Sequence, residues 1–212
     1  MINLSSKFDN YIYRFPYRKY MYKHKCIFIH IPKAAGTSIR KALGAPIKPR
    51  DHYDYKMYLN SHSGKFDSYF KFCFVRNPWS RLYSVYNYLS RGGNQTTDLL
   101  FCKKNEVHLK DFKSFATMFL THSNVNKMTL LGTQSSFIFD ENDNLMVDYV
   151  GKMENIQEGF DIVKKKLKLT SILENLNTSP DNDFRSKYDS ELVDLVSQVY
   201  FDDVKNFDYT FE

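Results

Sequence analysis

Residues 25–43, KCIFIHIPKAAGTSIRKAL, constrain the fold more than any other part of the chain. The apolar run from Cys26 to Ile31 reads as a buried strand. A Pro-Lys-Ala-Ala-Gly turn follows it, and Thr37-Ser38 opens a helical run from Ile39 to Leu43. A strand that turns sharply into a helix gathers unpaired backbone N–H groups and the positive end of a dipole in one place, which is an anion cradle. Ala34, Ala35 and Gly36 are small enough for an anion to approach the backbone closely. Lys33 adds a mobile positive charge, and Thr37 and Ser38 add hydroxyls. The turn is expected to hold the phosphate end of a nucleotide.

A second unit of the same kind begins at Tyr69. Tyr69 to Val75, YFKFCFV, is a near-continuous apolar and aromatic run, as in strands covered on both faces of a parallel sheet. Arg76-Asn77-Pro78 breaks it, and Pro78 suits the first turn of a helix. Trp79 to Arg91 then shows helical spacing, with Leu82, Val85, Tyr86 and Leu89 on one face. The two strand–turn–helix units are joined by a connection long enough for a parallel crossover. Arg76 thus stands at the carboxyl end of a buried strand, where open α/β sheets bind ligands. Ser84 lies two turns into the helix that follows. The residues predict an α/β fold with a central, mostly parallel sheet flanked by helices.

The remaining segments are read more coarsely. Residues 45–51, APIKPRD, form a loop, and His52 to Asn60 a short helical piece. SHSG from Ser61 is a turn, and Gly92 to Lys110 a polar loop. Asp111 caps a helix running to Thr121. Ser136 to Asp140 and Met146 to Val150 are expected to be two strands around the turn from Asp140 to Asn144. Asn155 to Leu169 is amphipathic, Asn175 to Lys187 a polar loop, and Asp189 to Tyr200 a last helix. There is no internal repeat, so residues 25–212 read as one domain behind an arm of residues 1–24. Within that arm, YIYRFPYRKYMYKHK alternates aromatic and basic side chains. It offers either a surface for a polyanion or rings that pack back on the body.

Composition narrows the partners. A chain of 212 residues with 42% hydrophobic and 25% charged residues fits one globular domain. Its net charge of +6 suits anionic ligands. Cys26, Cys73 and Cys102 have no metal-ligand spacing, and Cys26 and Cys73 fall in apolar runs, so no disulfide framework and no metal site are expected. No signal-peptide core or membrane span is visible, which points to the cytoplasm.

IFIHIPKAAGTSI followed by FKFCFVRNPWSRLYSVYNYL resembles the sulfotransferases that use 3′-phosphoadenosine 5′-phosphosulfate (PAPS), in particular the carbohydrate sulfotransferase branch. DYVGKMENI at 148–156 and the ending YFDDVKNFDYTF are similar to later segments of that family. The resemblance implies a P-loop-like three-layer fold. The lysine nevertheless precedes the small residues instead of following them, as it would in a nucleotide P-loop. It implies that Lys33 contacts the bridging oxygen of the phosphosulfate, and that Ala34, Ala35, Gly36, Thr37 and Ser38 surround the 5′-phosphate. It assigns Arg76 and Ser84 to the 3′-phosphate. Arg81 either joins them or faces solvent.

The same resemblance implies a base between the two motifs. The candidates are His52, which opens the helical piece, then His62 in the polar turn, while His30 suits a packed strand position. Lys152 and Glu154 either pair or touch the acceptor. The expected products are adenosine 3′,5′-bisphosphate and a sulfated hydroxyl, and nucleic acid is not an expected partner. Two readings compete: a nucleotide kinase of P-loop type, and a polyanion-binding module without catalysis.

Overall fold

Consecutive apolar residues can form a strand only if both faces of the sheet are covered, and the two apolar runs meet that condition. The computed structural model describes residues 13–46, 51–120, 125, 128–174 and 183–211. Residues 1–12 of the arm, 47–50 of the proline-containing loop, the helix end at Thr121 and residues 175–182 of the polar loop lie outside the described residues. In chain order the elements are α1 (Lys19–His24), β1 (Cys26–Ile29), α2 (Gly36–Ala42), α3 (Tyr55–Ser61), α4 (Ser63–Ser68), β2 (Phe70–Val75), α5 (Pro78–Ser90), α6 (Leu99–Lys104), α7 (Phe112–Phe119), β3 (Tyr149–Lys152), α8 (Ile156–Leu167), α9 (Ser190–Val199) and α10 (Phe201–Asn206). They fall into two compact units, Met1–Val75 with Ser136–Asn177, and Arg76–Ser135 with Thr178–Glu212.

The first unit holds a three-stranded sheet of order β1-β2-β3. Both pairings are parallel, with Cys26 opposite Phe70, Ile29 opposite Cys73, Phe72 opposite Tyr149 and Val75 opposite Lys152. Every residue of β1 is buried, and so is β2 from Lys71 onward. Phe28 and Phe72 stack at 5.2 Å across the sheet. Phe74 enters a slot that exists because two positions lack side chains. A Cβ on Gly151 would come within 2.5 Å of the Phe74 ring, and one on Gly159 within 2.9 Å. Lys71 is buried without being stranded, since its ammonium donates to the Phe66 and Tyr69 carbonyls and pairs with Asp148, each at 3.1 Å. In the described part of the arm, Tyr17, Tyr20 and Met21 are buried while Lys19 and Lys23 are not. The Tyr17 hydroxyl donates to the Tyr58 carbonyl at 3.1 Å.

The second unit is helical and aromatic. Asn77 caps α5 by accepting from the N–H groups of Trp79 and Ser80 at 3.1 and 3.2 Å. Its first two turns are buried almost all round, including Ser80, Arg81 and Ser84, where the sequence shows only an apolar stripe. Tyr83 meets Phe112 of α7 at 5.1 Å, Phe112 meets Tyr188 at 5.1 Å, and Trp79 meets Phe211 at 5.7 Å. Lys113 bridges Asp189 and Glu191 at 2.7 and 2.8 Å.

Four sequence expectations need correction. The predicted strand Ser136 to Asp140 is absent: residues 135–137 form a 3-10 turn, and a single antiparallel bridge, Phe139 with Leu145, remains of the hairpin. Asp140 nevertheless organises the turn as expected, accepting from the N–H groups of Asn142 and Asn144 at 2.9 and 2.8 Å. The second predicted strand is displaced to Tyr149–Lys152 and pairs with β2, because Gly151 leaves room for Phe74. The SHSG turn is instead a junction at which His62 ends α3 and caps α4. The loop from Gly92 contains α6, entered through an Asn94–Asp98 turn and anchored by buried Cys102. None of the three cysteines is in a disulfide. Among the described residues no helix is long and apolar enough to cross a membrane.

Candidate active site

The first turn is built on backbone strain. Lys33 has φ 66° and Ala35 φ 58°, both left-handed and neither a glycine. A side-chain-bearing residue there costs about 1–2 kcal/mol, and such strain collects where function uses the geometry. Ala35 serves as the N-cap of α2 through its backbone, its carbonyl accepting from Ser38 and Ile39 at 3.1 and 3.3 Å. The N–H groups of Gly36 and Thr37, at the start of that helix, have no carbonyl one turn back within it to donate to. Two left-handed residues alternating along a turn make a concave array of N–H groups suited to an anion. Lys33, Ala35 and Thr37 are partly exposed along it, while Ala34, Gly36 and Ser38 are buried.

Beneath the turn lies a pair of histidines. The ring of buried His30 stacks on Phe28 at 5.6 Å and approaches that of His52 at 4.2 Å. A Cβ on Gly36 would stand 1.8 Å from His30 Nε2, so this glycine is needed for the imidazole beside it. His52 Nδ1 donates to the His30 carbonyl at 2.9 Å. A carbonyl only accepts, so the proton of neutral His52 sits on Nδ1 and the lone pair on Nε2, the arrangement a general base needs. His52 lies ahead of α3 and does not open it; Asp54 caps that helix, accepting from Met57 N–H at 3.0 Å. His62 Nδ1 is engaged as the α4 cap, accepting from Lys65 N–H at 3.3 Å.

Asp51, the neighbour of His52, is buried in a clasp. Arg18 Nε and Nη2 donate to its two carboxylate oxygens at 2.8 Å each, and Arg40 Nη1 reaches Oδ2 at 3.5 Å. Arg40 belongs to α2 and also donates to the Pro46 carbonyl at 2.7 Å. A loop of contacts thus runs from α2 through Arg40, Asp51, His52 and His30 back to Gly36 of α2. The carboxylate holds the guanidinium of Arg18 above its ordinary pKa.

The second motif, in the other unit, is held by side-chain hydrogen bonds. Arg76 Nε donates to Ser80 Oγ at 2.8 Å. Ser80 and Ser84, four residues apart on α5, lie on one helix face and are both buried. The Arg76 N–H donates to Gln134 Oε1 at 2.8 Å, and Gln134 Nε2 donates back to the Arg76 carbonyl at 2.7 Å. Asn77 Nδ2 donates to the Thr210 carbonyl at 2.8 Å. Arg81 neither faces solvent nor lies in the open: it is buried, with Nη2 donating to the Gly132 carbonyl at 2.6 Å and its guanidinium 5.2 Å from the Tyr200 ring.

The structure brings Lys33, Ala34, Ala35, Gly36, Thr37 and Ser38 together in one turn, with His52, in the loop ahead of α3, against His30 beneath it. It groups Arg76 with Ser80 and Ser84. Sequence reading missed Asp51, Arg40, Ser80, Gln134 and Asp203. Two carried a signal: Ser80 through its four-residue spacing to Ser84, and Asp203 through the family-like ending YFDDVKNFDYTF.

A family model described as "Sulfotransferase family" matches residues 20–210. An uncharacterized protein of Archaeoglobus fulgidus is 27% identical over 132 residues, covering 57% of this chain and 86% of that protein. No solved structure matches significantly.

Proposed function

This chain belongs to the sulfotransferase family, and we propose that it moves a sulfuryl group from PAPS to a hydroxyl of a carbohydrate on a P-loop-like three-layer fold. The observation that carries the donor assignment is the chemistry of the two motifs. Residues 31–43 and 76–91 contain no Asp or Glu, while they supply Lys33, Arg76, hydroxyls at Thr37, Ser38, Ser80 and Ser84, and the strained N–H array at 33–37. Such sets offer cations and N–H and O–H donors without a carboxylate and suit phosphate and sulfate oxygens. The carbohydrate acceptor rests on the resemblance of both motifs to that branch of the family.

In this reading Lys33 and the turn from Ala34 to Ser38 hold the 5′-phosphosulfate, and Arg76 with Ser84 holds the 3′-phosphate. PAPS, when bound, supplies the sulfuryl group and the adenosine 3′,5′-bisphosphate leaving group. The Lys33 ammonium stabilises the charge that develops on the departing phosphate oxygen, an interaction stronger in the transition state than before it. His52 Nε2 takes the proton of the acceptor hydroxyl, and His62, whose Nδ1 is engaged as a cap, is the second candidate. The His30 carbonyl holds the His52 tautomer, and Asp51 anchors the backbone next to it.

Thermal unfolding tests the donor. Adenosine 3′,5′-bisphosphate at 100 times its dissociation constant should stabilise the protein by about 2.7 kcal/mol, with no response to ADP and Mg²⁺. A response to ADP–Mg²⁺ alone would refute PAPS and favour a kinase, and a response to heparin alone would favour a polyanion-binding module.

A further inference from the structure

Residues 130–135 have little regular structure, yet buried polar groups hold them at almost every position. Arg81 donates to the carbonyls of Leu130 and Gly132 at 3.3 and 2.6 Å, and the Tyr200 hydroxyl donates to that of Leu131 at 2.8 Å. The N–H groups of Gln134 and Ser135 donate to the two oxygens of Asp203, at 2.8 Å each. Asp203 and Gln134 are both 0% exposed. Burial raises the Asp203 carboxyl above its ordinary pKa, and the charge of Arg81 and the two backbone donors oppose that shift.

What this bracing delivers is one amide side chain. Gln134 presents Oε1 and Nε2 to the N–H and carbonyl of Arg76, at 2.8 and 2.7 Å, as a neighbouring strand would. The backbone of Arg76 is therefore pinned on both polar groups, and its side chain is pinned at Nε by Ser80. Two fixed points, one at each end of the side-chain stem, narrow the directions the guanidinium can take.

We propose that Gln134, locked by the Asp203 carboxylate, is a positioning residue that aims Arg76 and thereby sets discrimination in favour of nucleotides bearing a 3′-phosphate. The proposal rests on the assignment of Arg76 above. It also explains what the closing segment around Tyr200 and Asp203 contributes. That segment holds the brace, the brace holds Gln134, and Gln134 holds the arginine.

The test compares affinities by titration calorimetry for adenosine 3′,5′-bisphosphate and adenosine 5′-monophosphate, which lacks the 3′ group. Gln134→Glu keeps the side-chain shape and the acceptor for the Arg76 N–H. It replaces the second donor with an oxygen facing the Arg76 carbonyl. The bisphosphate should bind about tenfold more weakly and the monophosphate within about twofold of wild type. Gln134→Met, which removes both bonds at similar volume, serves if the glutamate variant does not fold, and should behave in the same way. Arg76→Ala is the reference and should abolish the discrimination. If Arg76→Ala abolishes it and both Gln134 variants keep the wild-type ratio, the positioning role is refuted while the reading of Arg76 stands. Equal loss of both affinities in the Gln134 variants also refutes it, since that marks a merely structural role. An unchanged ratio in Arg76→Ala removes the assignment on which the proposal rests.

Discussion

The two motifs hold their key cations by opposite means. Lys33 sits on a backbone forced into the left-handed region, between Pro32 and Ala34 and three residues before a glycine that a histidine ring requires. Arg76 sits on backbone pinned by a glutamine amide, with its Nε on a serine one turn away. The first arrangement places the strain in the backbone of the residue that carries the charge. The second uses buried hydrogen bonds to hold the charged end still. A compact ammonium on a flexible stem suits charge that develops during a reaction, and a planar guanidinium held by hydrogen bonds suits an anion that stays where it is.

Exchanging the effects of mutation is the direct way to break this contrast. Lys33→Ala should lower turnover by about 10²–10³-fold, the scale of losing one transition-state donor, without lowering thermal stability. Lys33→Gly should lose the same turnover and gain up to about 1 kcal/mol in stability, because glycine accepts the positive φ. Arg76→Ala should act chiefly on the KM for PAPS. A Lys33→Ala enzyme with wild-type turnover, or an Arg76→Ala enzyme that loses turnover at saturating PAPS and keeps its KM, would reverse the contrast.

A smaller effect probes the packing under the first turn. Gly36→Ala should destabilise the protein by about 1–3 kcal/mol, since the new methyl collides with the His30 ring. Removing that ring in a Gly36→Ala, His30→Ala double variant should restore part of the loss in a chemical-denaturation cycle. If Gly36→Ala costs nothing, the glycine is not there for the histidine. The smallest effect is a null one. Burial pushes the Cys26 thiol up to about 12 and that of Cys73 above its ordinary range. At pH 8 only about 10⁻⁴ of Cys26 is thiolate, so thiol reagents should label these strand cysteines only on unfolding.

How much of this could be read from the residues depends on the distance between partners along the chain. The strands at Cys26 and Phe70, the turn at Lys33 and the Pro-started helix at Pro78 follow local rules of apolar run, small residue and cap, and they lie within a residue or two of where those rules place them. The hairpin expected around Asp140 shows the limit. FIFD and LMVD are apolar runs on either side of a polar turn, as in a strand pair, but the backbone just before the first is claimed by Asp203 and the strand edge of β2 is taken by Tyr149–Lys152. The histidine candidates were visible as residues. Their difference, one oriented by a carbonyl and the other engaged as a helix cap, was not. Gln134 is 58 residues from Arg76 and 69 from Asp203, and no periodicity connects such positions.

The bond from Asn77 to the Thr210 carbonyl spans 133 residues, whereas His52 reaches its partner carbonyl across 22 and Arg40 meets Asp51 across 11. At about 5–20 residues per second of synthesis, the partner of Asn77 is made roughly 7–27 s after Asn77 itself. The contacts that surround the first turn can close while most of the chain is still to be made. The second motif is finished only once Thr210 has been made, so a growing chain acquires its strained first turn before its anchored arginine.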